Sequence, residues 1–403
     1  MTEETDIIVV GGGPCGSLAA LTAAKKGARV TVFEEHPAIG APSHCAGHLS
    51  LSGLKRLGLT LPSSLIENTF KSAIFISPCG RRFSVHFPFP VTCAVNRELF
   101  DQHLAKMASD IDVQYSLNSR VESLIREQTT AKGVIVSKHN KTEKILSQIV
   151  IDAEGVTSKI LKNTELKPFN SKMLMKAVSA EIENVKDVEN DRVEVYLGNR
   201  IANGFYAWLI PKKDGIAKIG LATNQGNPRQ YLERFMNNNK VSKAKFRGSK
   251  IVRLTYHSIP LGGPISKTYA HGFLAVGDVA SQVKPTTGGG VIMGLTCARI
   301  AGEVAGRATK EGCCSANFLK QYEAKWKQEL GFDMKAMLFV RKLLNRLSDR
   351  EIDKLFSAAA KLHLDEALIH VKNLDFQGIE AARLAVRPSA LFTLAFFFFS
   401  ALT

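Results

Sequence analysis

The chain has 403 residues, a formal net charge of +16 and a hydrophobic fraction of 45%, which is enough sequence for two or three globular domains. It contains no apolar run of the roughly 20 residues that span a bilayer, and its first strand follows the N-terminus too closely for a signal peptide, so we expect a cytosolic protein. The seven cysteines are an odd, scattered set without ligand spacing, which argues against a disulfide framework and against a metal site.

The first element in the chain is DIIVVGGGPCGSLAALTAAKKGARVTVFEE, residues 6–35. Its pattern predicts a buried strand at 7–10, a glycine turn at 11–16, a helix at 17–26 and a second strand at 28–33. Gly11 permits the tight turn, Gly13 lets a pyrophosphate approach the backbone, and Gly16 allows close helix–strand packing. Glu34 stands about 20 residues beyond the glycines, where a carboxylate binds ribose hydroxyls and repels a 2′-phosphate.

This segment therefore predicts a dinucleotide site, since the helix N-terminus presents free N–H groups and partial positive charge to the pyrophosphate. The alternative is a glycine turn in an unliganded α/β domain. The next elements are predicted as strands within 74–90, a helix at 96–110, a strand pair at 113–127 and 130–136, and a buried strand at 146–153.

The pattern changes after residue 173. Strands follow one another without helices at 176–182, 192–197, 204–211 and 216–222, which predicts an antiparallel sheet in a separate layer. A helix at 231–238 and a strand at 253–260 follow. From residue 272 the α/β pattern returns, with a strand at 273–276 and a helix at 291–308, and from 318 onward the pattern is helical and amphipathic.

Four segments occur in order: the glycine turn, Arg97 in RELFD, DAEGVTS at 152–158, and GDVASQVKPTTGGGVIMGLTCARIAG at 277–302. Together they resemble the FAD-dependent oxidoreductases of the aromatic-hydroxylase fold, and most of all the archaeal geranylgeranyl reductases, also called digeranylgeranylglycerophospholipid reductases. The resemblance covers residues 5–310. It implies a Rossmann-type α/β FAD-binding domain, an antiparallel β-sheet substrate domain and a C-terminal helical region.

The predicted FAD-binding domain is discontinuous (1–70, 96–170 and 261–310), the sheet domain comprises 71–95 and 171–260, and the helical region with its apolar tail is 311–403. In the family, the equivalent of Asp278 binds ribityl hydroxyls, and the glycine loop before the last helix lies against the flavin N1/C2=O edge, where backbone N–H groups stabilise negative charge. The cofactor-binding residues that the resemblance implies are Gly11, Gly13, Cys15, Gly16, Glu34, Cys45, Ala46, Gly47, Arg97, Val121, Gly155, Asp278, Gly288, Gly289, Gly290 and Val291.

Some of these assignments have alternatives. Arg97 would bind phosphate or form only a surface ion pair. Cys45, in a family-like Cys-x-Gly element, would be a proton donor or redox thiol beside the flavin, or merely a small residue lining its pocket. Glu154 stands where the wider fold has Asp.

FYAWLIP at 205–211 resembles the reductases' YxWxFP sequence, with Asn203 replacing the family's leading Pro and Ile210 its Phe. Tyr206 and Trp208 lie two apart on a strand and so share a face, which lines a prenyl tunnel or belongs to an ordinary aromatic core. Tyr206 and Cys45 are the two candidate proton donors.

The implied activity is saturation of geranylgeranyl C=C bonds in archaeal phospholipid precursors, with hydride from reduced flavin and a proton from the protein. Rivals are a flavin monooxygenase, a reductase of another prenylated compound such as a chlorophyll side chain or quinone, and a non-catalytic prenyl-binding escort protein. With no second Rossmann fingerprint, we expect an external electron donor: a ferredoxin-like protein or a reduced nicotinamide or deazaflavin.

Two features bear on location. Basic residues concentrate at 240–253 and 320–350, which fits an acidic partner, an anionic membrane or substrate, or a solvated surface; no nucleic-acid motif accompanies them. The uncharged tail ALFTLAFFFFSAL at 390–402 predicts either an interfacial contact on the inner face of the membrane or packing against the protein.

Overall fold

The computed structural model describes residues 5–213, 215–371 and 373–380, and the tail at 390–402 lies outside the described residues. The strands are β1 (Ile7–Val10), β2 (Val30–Phe33), β3 (His48–Ser50), β4 (Ile66–Phe70), β5 (Ser72–Ile76), β6 (Arg82–His86), β7 (Thr92–Val95), β8 (Gln114–Ser116), β9 (Ser119–Glu127), β10 (Thr130–Lys138), β11 (Lys141–Leu146), β12 (Ile149–Asp152), β13 (Leu174–Glu183), β14 (Arg192–Leu197), β15 (Tyr206–Pro211), β16 (Ile216–Thr223), β17 (Lys250–Pro260), β18 (Tyr269–Ala270) and β19 (Phe273–Ala275). The helices are α1 (Pro14–Ala24), α2 (Leu51–Arg56), α3 (Arg97–Ser109), α4 (Pro228–Asn237), α5 (Val291–Lys310), α6 (Ala316–Leu344), α7 (Asp349–Lys361) and α8 (Leu364–Leu368).

The described residues fold as two compact units. The first, here called the nucleotide unit, is built from residues 5–43, 97–171 and 260–334; the second, the sheet unit, is built from 44–96, 172–259 and 335–380. The domain bounds predicted from the sequence remain a prediction.

The nucleotide unit has a six-stranded sheet in the order β18-β19-β12-β1-β2-β8. All neighbouring pairs are parallel except β18 with β19. Every residue of β1 and β12 is buried, as expected for β-branched runs in a sheet covered on both faces. The predicted Rossmann-type arrangement is confirmed.

Helices α1 and α5 pack directly on each other. A Cβ on Gly302 in α5 would overlap the carbonyl oxygen of Ala19 in α1, so a larger residue there would force the helices apart. This close packing holds the N-terminal turns of α1 and α5 in one unit, each following a strand of the same sheet.

The sheet unit contains a seven-stranded sheet in the order β17-β13-β16-β15-β14-β5-β6. Its pairs are antiparallel from β13 to β14, as predicted. The exception is β14 with β5, which is parallel; β5 enters from a separate part of the chain, so a hairpin connection did not dictate its direction. Helix α4 begins at Pro228 rather than at residue 231, because the Asn227 side chain caps the Arg229 N–H and proline suits the first helical position.

One face of this sheet is covered by α4. Leu232 and Phe235 of the helix belong to a core that includes Ala207 and Leu209 of β15 and Ile219 of β16. Because side chains alternate along a strand, Tyr206 and Trp208 are on the opposite face of the sheet.

A three-stranded sheet, β3-β7-β4, completes the sheet unit. Lys218 of β16 contacts Glu67 of β4 and donates to the Val95 carbonyl oxygen at 3.2 Å, and Lys212 lies 3.0 Å from Glu67. These buried charges are thus paired across the two sheets. None of the helices in the described ranges has both the length and the hydrophobicity needed to cross a bilayer.

Candidate functional site

Three glycines of the turn after β1 have different roles: Gly11 and Gly16 are in close contact with neighbouring backbone, and Gly13 is open. Gly11 has φ +94°, and a Cβ there would lie 2.6 Å from the Ala153 oxygen; a Cβ on Gly16 would overlap the Gly11 oxygen. Gly13 has an ordinary φ of −64°, and no described atom lies within 4 Å of its Cβ position. The turn therefore leaves an open surface at Gly13, at the N-terminus of α1, where no described side chain caps the helix.

Glu34 is fixed beside this turn. One carboxylate oxygen accepts the Gly12 N–H at 2.8 Å, and the other accepts the His36 N–H at 3.0 Å and contacts His36 Nδ1 at 2.6 Å. Each carboxylate oxygen can accept two hydrogen bonds, so Oε2 retains capacity for a ribose hydroxyl. The sequence reasoning missed His36, although its position two residues after the acid was a visible signal.

A second carboxylate, Asp278, follows β19 and is half-buried. A Cβ on Gly290 would come within 3.0 Å of Asp278 Oδ1, so the loop before α5 lies against this side chain. Burial raises the pKa of Asp278 to about 6, and the positive charge of Arg97 partly opposes that rise. Arg97 itself makes two hydrogen bonds of 3.1 Å to Asp101, a mostly buried pair.

Cys15 joins the two glycine-rich segments. Its Sγ lies 2.6 Å from the Cβ position of Gly294 and 3.0 Å from that of Gly277, so the turn after β1 and the 277–294 segment are packed together. Burial raises the pKa of the Cys15 thiol far above its ordinary value, and the neutral thiol is a small packing group.

The loop before α5, like the glycine turn after β1, is rich in glycine and leads into a helix N-terminus. Gly288 has φ +70°, and no described side chain caps α5. A Cβ on Gly289 would lie 2.7 Å from Lys284 Cε, so the lysine stem covers this glycine. Lys284 adds a cation near the helix N-terminus and was not singled out from the sequence.

The segment after β12 holds a pair of acids. Asp152 is fully buried and accepts the Glu154 N–H at 3.1 Å; burial and the Glu154 charge raise its pKa well above the ordinary value. Glu154 accepts the backbone N–H groups of Ile160 and Leu161 at 2.7 and 3.3 Å, which gives this departure from the family pattern a local structural role. Gly155 has φ +77°. Val121 belongs to the hydrophobic core of the unit.

The nucleotide unit presents groups that match the parts of FAD in chemistry. The nucleotide unit contains two uncapped helix N-termini, the open surface at Gly13, the fixed Glu34 carboxylate and the half-buried Asp278 carboxylate. They match the diphosphate, a ribose and a polyol in chemistry, so the residues present fit the cofactor.

In the sheet unit, Cys45 is exposed and its Sγ accepts the Gly47 N–H at 3.4 Å. Gly47 has φ +73°, and its carbonyl accepts the Val95 N–H at 2.9 Å. The Cys45-Ala46-Gly47 turn is therefore held to β7 through its backbone.

Tyr206 is half-buried in an aromatic group. It stacks on Phe205 with ring centroids 4.3 Å apart and meets Trp208 edge-on at 6.0 Å. Burial raises its pKa to about 12, and the charge of Arg341 opposes that rise. Arg341 lies over the Phe205 ring at 4.8 Å and donates to the Gly204 carbonyl at 2.9 Å. Since Arg341 comes from α6, no local sequence signal indicated it.

Two segments of the chain match the models of known protein families. Residues 6–157 match the family described as FAD dependent oxidoreductase, and residues 174–256 match the geranylgeranyl reductase catalytic domain.

Individual relatives extend this likeness along the chain. Digeranylgeranylglycerophospholipid reductase 2 of Methanothermobacter thermautotrophicus is 34% identical over 356 residues, 87% of this chain and 90% of the relative. The corresponding reductase of Methanocaldococcus jannaschii is 33% identical over 361 residues, 89% of this chain and 91% of its own.

Among solved structures, a geranylgeranyl bacteriochlorophyll reductase-like protein from Thermoplasma acidophilum has a TM-score of 0.86 at 25% identity and covers 98% of this chain and 99% of its own. A flavin-dependent brominase has a TM-score of 0.74 at 16% identity, covering 99% and 100%; it shares the fold alone.

Proposed function

We propose, because this chain belongs to the digeranylgeranylglycerophospholipid reductase family, that it is an FAD-dependent enzyme that saturates C=C bonds in the geranylgeranyl chains of digeranylgeranylglyceryl phospholipids. The observation that carries the proposal is the 34% identity to such a reductase over 87% of the chain, which includes both the nucleotide unit and the sheet unit. A relative confined to one unit would support only the cofactor or only the substrate.

The cofactor is assigned residue by residue. The open surface at Gly13 and the α1 N-terminus, together with Cys15 and Gly16 in the same turn, receive the diphosphate. Glu34 accepts a ribose hydroxyl and Asp278 a ribityl hydroxyl. The remaining proposed contacts are Gly11, Cys45, Ala46, Gly47, Arg97, Val121, Gly155, Gly288, Gly289, Gly290 and Val291.

Reduced FAD, when bound, would supply a hydride for one alkene carbon, and a side chain of this protein would supply the proton for the other. The half-buried Tyr206 phenol, with a pKa raised to about 12, keeps its proton at neutral pH. The nearby Arg341 guanidinium lowers the cost of forming a phenolate, because opposite charges attract strongly where water is excluded. Cys45 is the second candidate, and its thiol is exposed.

The prenyl chain is assigned to the face of the seven-stranded sheet that carries Tyr206 and Trp208. The opposite face packs against α4, which directs the proposal to the face that carries Tyr206 and Trp208. Aromatic and aliphatic surface binds an isoprenoid chain by apolar burial, and it excludes the water that would compete for the proton.

The proposal also includes an external electron donor and a contact with the membrane. The donor is external: a ferredoxin-like protein or a reduced nicotinamide or deazaflavin. The segment 240–253 contains six basic and no acidic residues, and it leads into β17, where Ile251 and Val252 are 40% and 56% exposed. This basic and apolar surface suits the headgroup region of an anionic membrane, where the lipid substrate resides.

The test is anaerobic incubation of the reduced, FAD-loaded enzyme with digeranylgeranylglyceryl phosphate, followed by mass spectrometry of the lipid. The proposal expects a mass gain of two hydrogens for each saturated bond. An unchanged lipid, together with oxygen consumption coupled to NADPH oxidation in a separate aerobic assay, would identify a monooxygenase. A colourless protein that cannot be reconstituted with FAD would instead identify an escort protein.

A further inference from the structure

Trp208 lies in a short row of residues across the sheet. It pairs with Gly220 on β16, which in turn pairs with Ser179 on β13. A Cβ placed on Gly220 would come within 2.7 Å of Trp208 Cε2 and still closer to Cζ2. The six-membered ring of the indole therefore lies directly over the backbone at Gly220.

The backbone does not itself require glycine at this position. Gly220 is inside β16 and is not among the residues with positive φ. A glycine within a strand costs conformational entropy and packing, and it marks a place where another group approaches closely. Here the approaching group is the Trp208 indole.

Packing, rather than hydrogen bonding, holds the indole in place. Trp208 is 8% exposed, and its Nε1 finds no hydrogen-bond partner in the described part of the chain. The Ser179 hydroxyl, next in the row and 9% exposed, has none either among the same residues. The ring position therefore depends on what lies beneath it.

We propose that Gly220 is a positioning residue that sets the height of the Trp208 indole above the sheet, and thereby the room for the prenyl chain on the face of the sheet assigned to it. The inference rests on the proposed function, which assigns this face of the sheet to the substrate. A side chain at position 220 would lift the ring toward the substrate and reduce the room for a long prenyl chain.

The experiment compares G220A, W208F and the double variant G220A/W208F. The readout is the ratio of kcat/KM for digeranylgeranylglyceryl phosphate to that for the difarnesyl analogue, with FAD absorbance per protein as a control. G220A should lower the ratio about tenfold, the scale on which one methylene alters fit in an apolar pocket. W208F, which removes the ring over position 220, should raise the ratio, and the double variant should return toward the wild-type value.

A structural defect alone would give a different pattern. A Cβ on Gly220 would also lie 2.5 Å from the Val178 carbonyl oxygen, so G220A should lower Tm, and W208F cannot relieve that contact. Recovery of the substrate ratio in the double variant without recovery of Tm therefore identifies positioning. S179A, which removes the neighbouring unpaired hydroxyl, is the matched control and should keep the wild-type ratio.

If G220A does not fold, W208F alone still decides: a ratio unchanged from wild type overturns the proposal. An unchanged ratio in a folded G220A, or a double variant no closer to wild type than G220A, also overturns it. If the wild-type enzyme reduces neither lipid, the proposed function is wrong. If it reduces both lipids and all variants have the same ratio, the proposed function stands and only the role of Gly220 is wrong.

Discussion

In the nucleotide unit the candidate site is made mostly of backbone: glycine turns, uncapped helix N-termini, and two carboxylates, Glu34 and Asp278, placed at strand ends. In the sheet unit it is made of side chains, Tyr206, Trp208 and Arg341, in a unit where buried charges pair with one another. The Lys218 and Glu67 pair shows this contrast, because both charges are satisfied within the protein. On the proposed function, the first unit completes its hydrogen bonds with a polar cofactor, and the second presents an apolar surface to a lipid.

The largest effect should come from removing the proton donor. Y206F should lower kcat by about 10²–10⁴-fold, the usual contribution of a positioned general acid, with FAD absorbance unchanged. C45S is the parallel variant for the other candidate. A normal rate in Y206F combined with a strong loss in C45S, measured by anaerobic lipid turnover, would transfer the role to Cys45.

A side chain at Gly13 should separate cofactor binding from folding. Because no described atom is near the Cβ position and φ is ordinary, G13V should fold with a wild-type Tm in the absence of FAD. It should raise the Kd for FAD at least about 100-fold, since two charge-assisted hydrogen bonds of about 1.5–3 kcal/mol each are lost.

The matched control for G13V is G16A, whose Cβ would overlap the Gly11 oxygen; it should lower Tm as well as FAD affinity. Titration of flavin fluorescence and thermal unfolding measure the two quantities. A G13V variant that binds FAD normally would show that the diphosphate lies elsewhere.

Asp278 predicts a pH dependence of the FAD-free protein. The folded chain keeps the proton on this carboxyl up to about pH 6, whereas the unfolded chain releases it near 3.8. Stability should therefore fall as pH rises between these values, by at most about 3 kcal/mol. In urea titrations across pH 4–7, the free energy of unfolding of D278N should lack this fall with pH. An identical pH dependence of the unfolding free energy in D278N and the wild type would contradict the prediction.

The smallest expected effect concerns the membrane. K243E/K250E should weaken binding to phosphatidylserine-containing vesicles by about 1 kcal/mol for each basic residue lost. Co-sedimentation with the vesicles measures this binding. K141E/K144E, which changes exposed lysines of β11, should bind as wild type does. Equal binding by both variants would remove the 240–253 segment from the proposed contact.

The same contrast between the units decides what the sequence could predict. The strand, turn and helix at residues 7–24 are specified locally by β-branched residues, glycines and proline, and the prediction held to within a few residues. His36, Arg341 and Gly220 were missed. The role of Gly220 depends on the indole of Trp208 on the neighbouring strand, and that of Arg341 depends on the path of α6. The residues next to Gly220 and Arg341 in the sequence indicate neither.

Parallel pairing of β5 with β14 was missed for a related reason. The alternation of residues predicts a strand but not its neighbour, and strands from distant segments are brought together by packing. By contrast, the start of α4 was visible in Asn227 and Pro228, a cap followed by a favoured first residue, and could have been predicted.

The central claim, that a cofactor held in the nucleotide unit reduces a lipid bound to the sheet unit, is tested most directly by optical absorbance under strict anaerobiosis. The FAD-loaded protein is reduced and freed of excess reductant, and digeranylgeranylglyceryl phosphate is added. The account predicts reoxidation of one FAD for each C=C bond saturated, without oxygen. Flavin that stays reduced until oxygen is admitted would contradict it.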